Sequence, residues 1–252
     1  SLFNHTPTLF ALEKIVQVHA EFGTVAMMPT LISDDYNIMS QAHHAVCEAL
    51  AQNMGGVLGL HYEGPYLNPI REGVHNESQL RQPNEDLLAT LLGVSRRGKL
   101  MVTLAPEQVR EGFIEWLVSE KAIVCIGHSA ATYEQAMTAV DSGARGFTHL
   151  FNAMTPLMSR EPGVVGAALQ TDKPTWCGLI ADGHHVHPAS MRVAIAAKGC
   201  ERMMLVTDAI QSVGSDETEM AFLGKKVLRS EGRVTTEDGT LAGSDLDMAT
   251  AV

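Results

Sequence analysis

The sequence has few basic residues, and those it has are not clustered. Lysine and arginine together number 18 against 29 aspartates and glutamates, which gives a formal net charge of -11 at pH 7. Proteins that bind nucleic acids need a stripe of positive charge to neutralise phosphates, and this chain offers none. We therefore expect no nucleic-acid partner. An anionic ligand would have to be held by a few local cations or by backbone N–H groups, which favours a small molecule.

Long apolar runs and paired cysteine motifs are also missing. No apolar stretch approaches the roughly 20 residues of a membrane span, and the N-terminus lacks the basic-then-apolar pattern of a secretion signal. The four cysteines, Cys47, Cys125, Cys177 and Cys200, are widely spaced and form no C-x-x-C pair. We therefore expect a soluble protein of the reducing cytoplasm with no membrane partner.

Seven short apolar runs are the main feature that the sequence does have. They span 23–31, 56–65, 99–107, 122–129, 144–152, 175–183 and 202–209. Each run is continuously apolar instead of alternating, which is typical of strands covered on both faces in a parallel sheet. Between the runs lie segments with helical spacing, which begin at signals such as Pro188 and end at glycines such as Gly143 and Gly199.

The alternation of strands and helices predicts the fold class. Repeated βαβ units in a chain of 252 residues indicate an α/β protein, a (β/α)8 TIM-like barrel that lacks one strand. A doubly wound open sheet is the alternative, but no G-x-G-x-x-G follows an early strand. From residue 222 to 241 the sequence changes to short segments in which polar residues alternate with apolar ones, and these segments indicate a hairpin outside the barrel. We therefore expect a barrel domain over 1–221 and a hairpin with a return segment over 222–252.

Polar residues end five of the apolar runs. They are Glu63, His128, His149, the pair Asp182 and His185, and Asp208. A single polar residue at a strand end is more often a helix cap than a ligand, but five such endings do not arise independently. The carboxyl ends of barrel strands are where barrel enzymes place their chemistry, so we expect these side chains to converge.

One carboxylate and two imidazoles are a ligand set for a divalent ion with an open position. Glu63, His128 and His149 therefore predict a metal site, for zinc or iron(II) by ligand type. Asp208 is either a fourth ligand or a general base, and the residues alone leave this open. His61, two positions before Glu63 on the same side of the strand, is expected to support the site from behind. His75 is ambiguous by itself.

Several motifs together resemble a known family. The segments HYEGPYLNP, EGVHN, TLAPE, IGHS, THLFNAM, IADGHHVHP, LVTDA and LAGS follow one another in this order. In combination they resemble the N-acetylglucosamine-6-phosphate deacetylases of the amidohydrolase superfamily, from about Phe10 to the C-terminus. The resemblance implies a metal-dependent barrel with a small β-sandwich domain, of which only a remnant is expected here. The family's first barrel strand and its early metal-site motif have no counterpart, and one ion is expected rather than two.

The resemblance also implies roles for individual residues. It makes Glu63, His128 and His149 the metal ligands, Asp208 the catalytic acid and base, and His75 the donor to the acetamide carbonyl. The residues implied in substrate binding are Val74, His75, Asn152, Ala153, Arg160, Asp182, His185, Leu241, Ala242 and Gly243. Part of the phosphate site in this family can come from a neighbouring subunit, which implies a homodimer.

The function implied is hydrolysis of the acetamide of N-acetyl-D-glucosamine 6-phosphate to D-glucosamine 6-phosphate and acetate. Three alternatives stay open at this point. The substrate could be the galacto epimer, which differs in the orientation of one hydroxyl group, since no residue in the sequence can be assigned to recognising that group. The chain could be a cyclic-amide hydrolase or deaminase with the same ion and aspartate. It could also be an inactive fragment that only binds sugar phosphates.

Overall fold

A computed structural model describes residues 3–82 and 92–252 of the chain. Within these residues one parallel sheet of seven strands forms the centre, in the order of the sequence. Its strands are β1 Thr30–Ile32, β2 Gly59–Glu63, β3 Lys99–Leu104, β4 Ile123–Ile126, β5 Gly146–Phe147, β6 Trp176–Leu179 and β7 Met203–Leu205. Sequential parallel order is the order of a TIM-like barrel, so the α/β class is confirmed and the sheet is consistent with a barrel fragment.

Helices connect the strands, as the alternating pattern predicts. They are α1 Leu9–Glu21, α2 Tyr36–Ala51, α3 Phe113–Ser119, α4 Tyr133–Asp141, α5 Gly163–Gln170, α6 Pro188–Lys198 and α7 Met248–Ala251. Their ends follow local chemistry. Thr132 and Gln135 form a reciprocal capping box at the start of α4. Pro188 opens α6 and Gly199 ends it with a positive φ of 87°.

A small antiparallel sheet follows the last parallel strand. It is formed by β8 Glu219–Phe222, β9 Lys225–Ser230 and β10 Arg233–Thr236, in the order β10-β9-β8. The sequence predicted a hairpin at this point, and the structure adds a third strand that begins three residues before the predicted boundary at 221/222. The division into two domains therefore stays a prediction, with β8 lying across its boundary.

The first and last strands of the parallel sheet border a large cavity. Among the described residues, the sheet is open between β1 and β7. A cavity of about 1250 Å³ extends from the carboxyl ends of the strands into this opening, where Thr30 of β1 and Met204 and Leu205 of β7 line it. The carboxyl ends of the strands thus border a partly open cavity that a small molecule can enter.

No helix in residues 3–82 and 92–252 has both the length and the apolar character that crossing a membrane would require. The longest one, α2, carries an apolar face toward the sheet, where Met39, Ala42 and Val46 are buried. Polar residues such as Asn37, Gln41, His44 and Glu48 lie outside this buried face, which is the pattern of a helix that covers one face of a core.

Candidate active site

Three predicted ligands meet at the carboxyl end of the sheet. The Nε2 atoms of His128 and His149 lie 3.3 and 3.1 Å from the same oxygen of Glu63, Oε1. The two Nε2 atoms are 3.1 Å apart. All three residues are buried, and their donor atoms lie within 4.8 Å of one another. This geometry is consistent with the sequence prediction that these residues, which are distant along the chain, converge at one point.

The strands deliver these side chains through an uncommon backbone conformation. His128 and His149 each lie two residues beyond the last residue of a strand, after β4 and β5. Their φ angles are 48° and 35°, and Asp208, three residues beyond β7, has a φ of 50°. Left-handed backbone at a residue other than glycine costs about 1–3 kcal/mol and persists where surrounding structure enforces it. Strain of this kind at three strand ends on the same edge of the sheet is typical of a functional site.

Glu63 and His149 form the charged centre of the cluster. Burial opposes a charge on Glu63, but hydrogen bonds from His128 and His149 hold its pKa well below the usual range. Burial also opposes a charge on His149, yet the hydrogen bond and charge of Glu63 raise its pKa to about 9. Without a metal ion the pair is therefore a carboxylate and an imidazolium, and the proton of His149 occupies the space between the donor atoms.

The ring of His128 is oriented by a backbone carbonyl. Its Nδ1 lies 2.8 Å from the carbonyl oxygen of Arg71, so Nδ1–H donates to that oxygen. The Nε2 of His128 then faces Glu63 and His149. An imidazole whose other nitrogen donates to a carbonyl is the usual arrangement of a metal-binding histidine.

Glu107 holds the loop that carries His128. Its carboxylate accepts hydrogen bonds from the Ser129 hydroxyl at 2.7 Å and from the Ala130 backbone N–H at 2.6 Å. It also accepts from the Asn68 side chain at 2.9 Å. Glu107 is not among the residues predicted from the sequence. The signal was present, because Glu107 ends the apolar run 99–107 as Glu63 ends its own.

His75 lies beside the cluster, and Ser33 holds it there. Its Nε2 is 3.8 Å from Oε2 of Glu63, and its ring packs edge-on against that of His128, with centroids 4.7 Å apart. The other nitrogen, Nδ1, contacts the hydroxyl of Ser33 at 2.9 Å and accepts from the Ser33 backbone N–H at 3.3 Å. Burial, reinforced by His128, lowers the pKa of His75 to about 3, so the ring is neutral.

Asp208 lines the same cavity as the three ligands. Burial, together with the nearby charge of Glu63, raises the pKa of its carboxyl group. A carboxylate with a raised pKa is a stronger base than a solvated one, which suits a group that must accept and return a proton. Its backbone carbonyl accepts from the Ser244 N–H at 2.8 Å, which ties this strand end to the C-terminal return segment.

His185 and Asp182 form a second polar pair near the cavity. The Nδ1 of His185 lies 2.6 Å from Oδ2 of Asp182. Burial alone would raise the pKa of Asp182, but hydrogen bonds from the ring and backbone of His185 and from the His184 N–H lower it to about 2. Asp182 therefore fixes the orientation of His185, whose ring lines the cavity.

The other predicted substrate residues divide into two groups. Those that line the cavity are Val74, Asn152, Ala153, Leu241 and Gly243. In the described part of the chain, Arg160, Ala242 and Asp182 are outside that lining. Ala242 is fully buried in a small apolar cluster with Phe222 and Val234, and Arg160 is exposed to solvent.

His61 supports the site through a chain of hydroxyl groups. Its ring nitrogens lie 3.0 Å from Thr30 Oγ1 and 2.8 Å from Thr103 Oγ1. Thr103 continues the chain to Thr148 at 2.7 Å, next to His149 in the sequence. Burial lowers the pKa of His61, which keeps it neutral. These threonines lie within apolar runs and carry no signal that the sequence analysis could use.

The cluster fits a divalent metal ion. One carboxylate oxygen and two imidazole Nε2 atoms converge on one point, and the Nδ1 of His128 is already committed to a carbonyl. This is the ligand chemistry of zinc and of other divalent transition metals with an open coordination position. Glu63, His128 and His149 could therefore hold a metal ion, as the sequence predicted.

Comparisons with known proteins support one family. No protein-family model matches the chain. It is 47% identical, over its whole length, to an N-acetylgalactosamine-6-phosphate deacetylase of Shewanella sp. (strain ANA-3), of which it covers 63%. It is 39% identical to a protein of the same name from Escherichia coli O157:H7, with 96% of the chain and 64% of the relative covered. It is 34% identical, again over its whole length, to an N-acetylglucosamine-6-phosphate deacetylase of Haemophilus influenzae, of which it covers 66%.

Solved structures give the same result. The crystal structure of N-acetylglucosamine-6-phosphate deacetylase from Pasteurella multocida matches all of this chain with a TM-score of 0.94 at 34% identity, and the match covers 65% of that chain. A mutant of the Mycobacterium smegmatis enzyme in complex with N-acetyl-D-glucosamine-6-phosphate matches 93% of this chain and 62% of its own, with a TM-score of 0.84 at 30% identity. The present chain thus spans just under two thirds of the relatives it matches. The resemblance of the motifs is confirmed: this chain is homologous, over its whole length, to the N-acetylglucosamine- and N-acetylgalactosamine-6-phosphate deacetylases.

Proposed function

We propose that the protein hydrolyses the acetamide of N-acetyl-D-glucosamine 6-phosphate, in the cytoplasm, to D-glucosamine 6-phosphate and acetate. The observation that carries the proposal is the cluster of Glu63, His128 and His149, with Asp208 and His75 on the same cavity wall. The homology to deacetylases supports deacetylation as the reaction. We also propose that the fold is a barrel of the metal-dependent amidohydrolase type with a remnant of a β-sandwich domain, divided near residue 221.

We propose one zinc ion as the cofactor, with iron(II) as the alternative, held by Glu63, His128 and His149. Such an ion, when bound, would lower the pKa of a water molecule toward about 7 and polarise the carbonyl of the acetamide. His149 would have to give up its proton in order to hold the ion, since the raised pKa of its ring keeps it protonated beside Glu63. Side chains of the protein carry out the remaining steps.

Asp208 moves the proton. Its carboxylate accepts a proton from the attacking water as the water oxygen bonds to the amide carbon. It then donates this proton to the amide nitrogen, since an amine leaves readily only when protonated. The C–N bond breaks, acetate keeps the water oxygen, and the amino sugar leaves with the proton. Burial and the charge of Glu63, which raise the pKa of Asp208, make its carboxylate a stronger base for the first of these transfers.

His75 stabilises the charge that develops on the carbonyl oxygen. Its Nε2 faces the cluster, 3.8 Å from Glu63 Oε2, and so lies where the carbonyl of a substrate would be polarised. A donor of this kind is typically worth about 3–4 kcal/mol in the transition state. A neutral imidazole donates without competing with the ion through its own charge.

The sugar phosphate would occupy the same cavity. Val74, Asn152, Ala153, Leu241 and Gly243 line it, and His185 contributes a ring that Asp182 holds in place. Arg160 is exposed and lies outside the lining of its own cavity. We propose that the protein is a homodimer in which Arg160 binds the phosphate at the site of the neighbouring subunit, through the forked geometry that suits phosphate.

The galacto epimer is a second candidate substrate. The relatives at 47% and 39% identity are named N-acetylgalactosamine-6-phosphate deacetylases, whereas the glucosamine enzyme of Haemophilus influenzae is 34% identical. The two sugars differ in the orientation of one hydroxyl group. A site that hydrogen-bonds one orientation discriminates strongly against the other, so the ratio of kcat/KM values decides between them.

The test is acetate release by the zinc-loaded protein from each epimer, with Asp208→Asn as the inactive comparison. We expect acetate from at least one epimer, and a loss of turnover of about 10²- to 10⁴-fold in the variant, which should still bind zinc. Release of acetate from neither sugar would overturn the proposal. Activity on cyclic amides or amino-substituted bases would then favour the hydrolase or deaminase alternative, and ligand binding without turnover would favour an inactive fragment.

A further inference from the structure

The orientation of His75 depends on one neighbouring residue. His75 belongs to a loop between two single-turn helices, Pro69–Arg71 and Glu77–Gln79, and not to a strand. Its side chain is nonetheless buried, with 2% of its surface exposed. A donor carried by a loop needs a second group that locks its rotamer, because transition-state contacts tolerate little displacement.

Ser33 lies in the position to provide that lock. It directly follows β1, whose last residue, Ile32, pairs with Glu63 in the parallel ladder. The strand register thus places Ser33 beside the metal-binding carboxylate, and Ser33 is itself buried. Both its backbone N–H and its hydroxyl reach the same atom of His75, Nδ1, at 3.3 and 2.9 Å.

The backbone contact decides which nitrogen of His75 carries the proton. A backbone N–H can only donate, so Nδ1 must offer its lone pair to Ser33. The shorter contact to the Ser33 hydroxyl then has only one consistent reading, in which O–H donates to Nδ1 as well. The carbonyl of Glu63, at 3.4 Å from Ser33 Oγ, is the longer alternative for the same hydroxyl. The single proton of the ring therefore lies on Nε2, which faces the cluster.

We propose that Ser33 is a positioning residue for the deacetylation: its backbone N–H and hydroxyl together hold His75 in the Nε2–H tautomer, aimed at the metal-binding cluster. The inference rests on the proposed function for its effect on turnover, but the tautomer is a property of the protein alone. With the proton on Nδ1, His75 would present a lone pair to the substrate carbonyl and repel it.

The experiment compares Ser33→Ala with Ser212→Ala in the intact, zinc-loaded protein. Both variants remove a buried serine hydroxyl, but the hydroxyl of Ser212 has no hydrogen-bond partner in the described structure. Two-bond ¹H–¹⁵N spectra of ¹⁵N-histidine protein report the tautomer of each ring, and His75→Gln assigns the signal. Zinc content and thermal unfolding verify that both serine variants stay folded and loaded.

We expect the Nε2–H tautomer for His75 in the unmodified protein and in Ser212→Ala. In Ser33→Ala the signal should shift toward a mixture of tautomers, because only the backbone donor remains. Turnover should fall roughly three- to tenfold in kcat, the effect of one lost hydrogen bond, with KM nearly unchanged. Rescue is not expected from added zinc, since the ligands are untouched.

Two results would overturn the inference. One is a His75 that carries its proton on Nδ1 in the unmodified protein. The other is a Ser33→Ala protein whose tautomer and kcat match those of Ser212→Ala. If the tautomer shifts as expected but neither sugar phosphate releases acetate from the unmodified protein, the proposed function fails while the role of Ser33 in orienting His75 stands.

Discussion

The Nε2 atoms of His128 and His149 lie 3.1 Å apart. Two imidazole lone pairs repel each other at this distance, so a proton or a cation must lie between them. Glu63 Oε1, within 3.3 Å of both, supplies the negative charge that holds either one. The cluster is thus built for a positive charge, and a metal ion and a proton compete for the same place.

This competition predicts that zinc binding expels a proton. The pKa of His149 is raised to about 9, so the ring is protonated at pH 7 when no ion is bound. Because the bound state requires the neutral ring, affinity for zinc should fall by about tenfold for each pH unit below 9. Isothermal titration calorimetry at pH 7 in buffers of different ionisation enthalpy should show about one proton released. Glu63→Gln, which lacks the anchoring charge, should bind zinc far more weakly, and an affinity independent of pH would contradict the competition.

The fold could be predicted from the sequence because the two patterns that define it are local. Continuous apolar runs indicate strands buried on both faces, and helix caps indicate where the chain turns. Six of the seven runs contain a whole strand, and the first run contains two of the three residues of β1. The third strand of the antiparallel sheet was missed because its alternation over Glu219–Phe222 is short and adjoins a polar loop. Strand order and the opening between β1 and β7 depend on pairing across the chain, which local patterns do not encode.

The candidate site could be predicted in part, for a physical reason. Carboxylates and imidazoles at strand ends are visible because they interrupt apolar runs, as Glu63 and His128 do. Ser33 was missed because its role depends on a hydrogen-bond partner far away in the sequence, whereas Glu107 interrupts an apolar run and could have been singled out. Arg160 was assigned to substrate binding by resemblance alone. It is exposed and outside the cavity lining, because a motif does not determine where a side chain lies relative to the cavity.

Glu107 predicts a variant that weakens the site without touching a ligand. In Glu107→Gln one oxygen can still accept from Ala130, but the amide group cannot accept from the Ser129 hydroxyl. Loss of a charge-assisted bond should destabilise the fold by about 1–2 kcal/mol. Because Ser129 follows His128, zinc affinity should also fall by about tenfold, as for other residues that orient a ligand.

The matched control for this variant is Glu111→Gln. Glu111 is exposed and lies four residues away in the sequence. Thermal unfolding and competition with a zinc chelator measure the two effects. If Glu107→Gln and Glu111→Gln were equal in both measurements, the loop of His128 would not depend on Glu107.

Asp182 predicts a stability difference that depends on pH. Its pKa in the folded protein, about 2, lies below the ordinary aspartate value of 3.8. A carboxyl group with a lowered folded pKa stabilises the protein above its unfolded pKa, and this contribution is lost as the pH falls through the folded value. The Tm of the unmodified protein should therefore exceed that of Asp182→Asn at pH 6, and the gap should shrink at pH 3. A gap that widens toward pH 3 would contradict the assignment.

Arg160 predicts complementation between subunits. Its loop is fixed by Glu161, whose carboxylate accepts from the backbone N–H groups of Tyr133 and Gly163. Beside it, Leu157 and Met158 are exposed to 57% and 62%, an apolar rim that suits contact with a second subunit.

If Arg160 serves the neighbouring site, Arg160→Ala should raise KM for the sugar phosphate because a charged fork to phosphate is lost. Asp208→Asn should be inactive for a separate reason. Unfolding and refolding the two variants together forms mixed dimers, in which one site combines an intact Asp208 with an intact Arg160 from the other subunit. That site should regain normal KM, so up to about a quarter of the sites in a statistical one-to-one mixture should behave as unmodified. Activity equal to that of Arg160→Ala alone, at half its concentration, would mean that Arg160 acts within its own subunit or not at all.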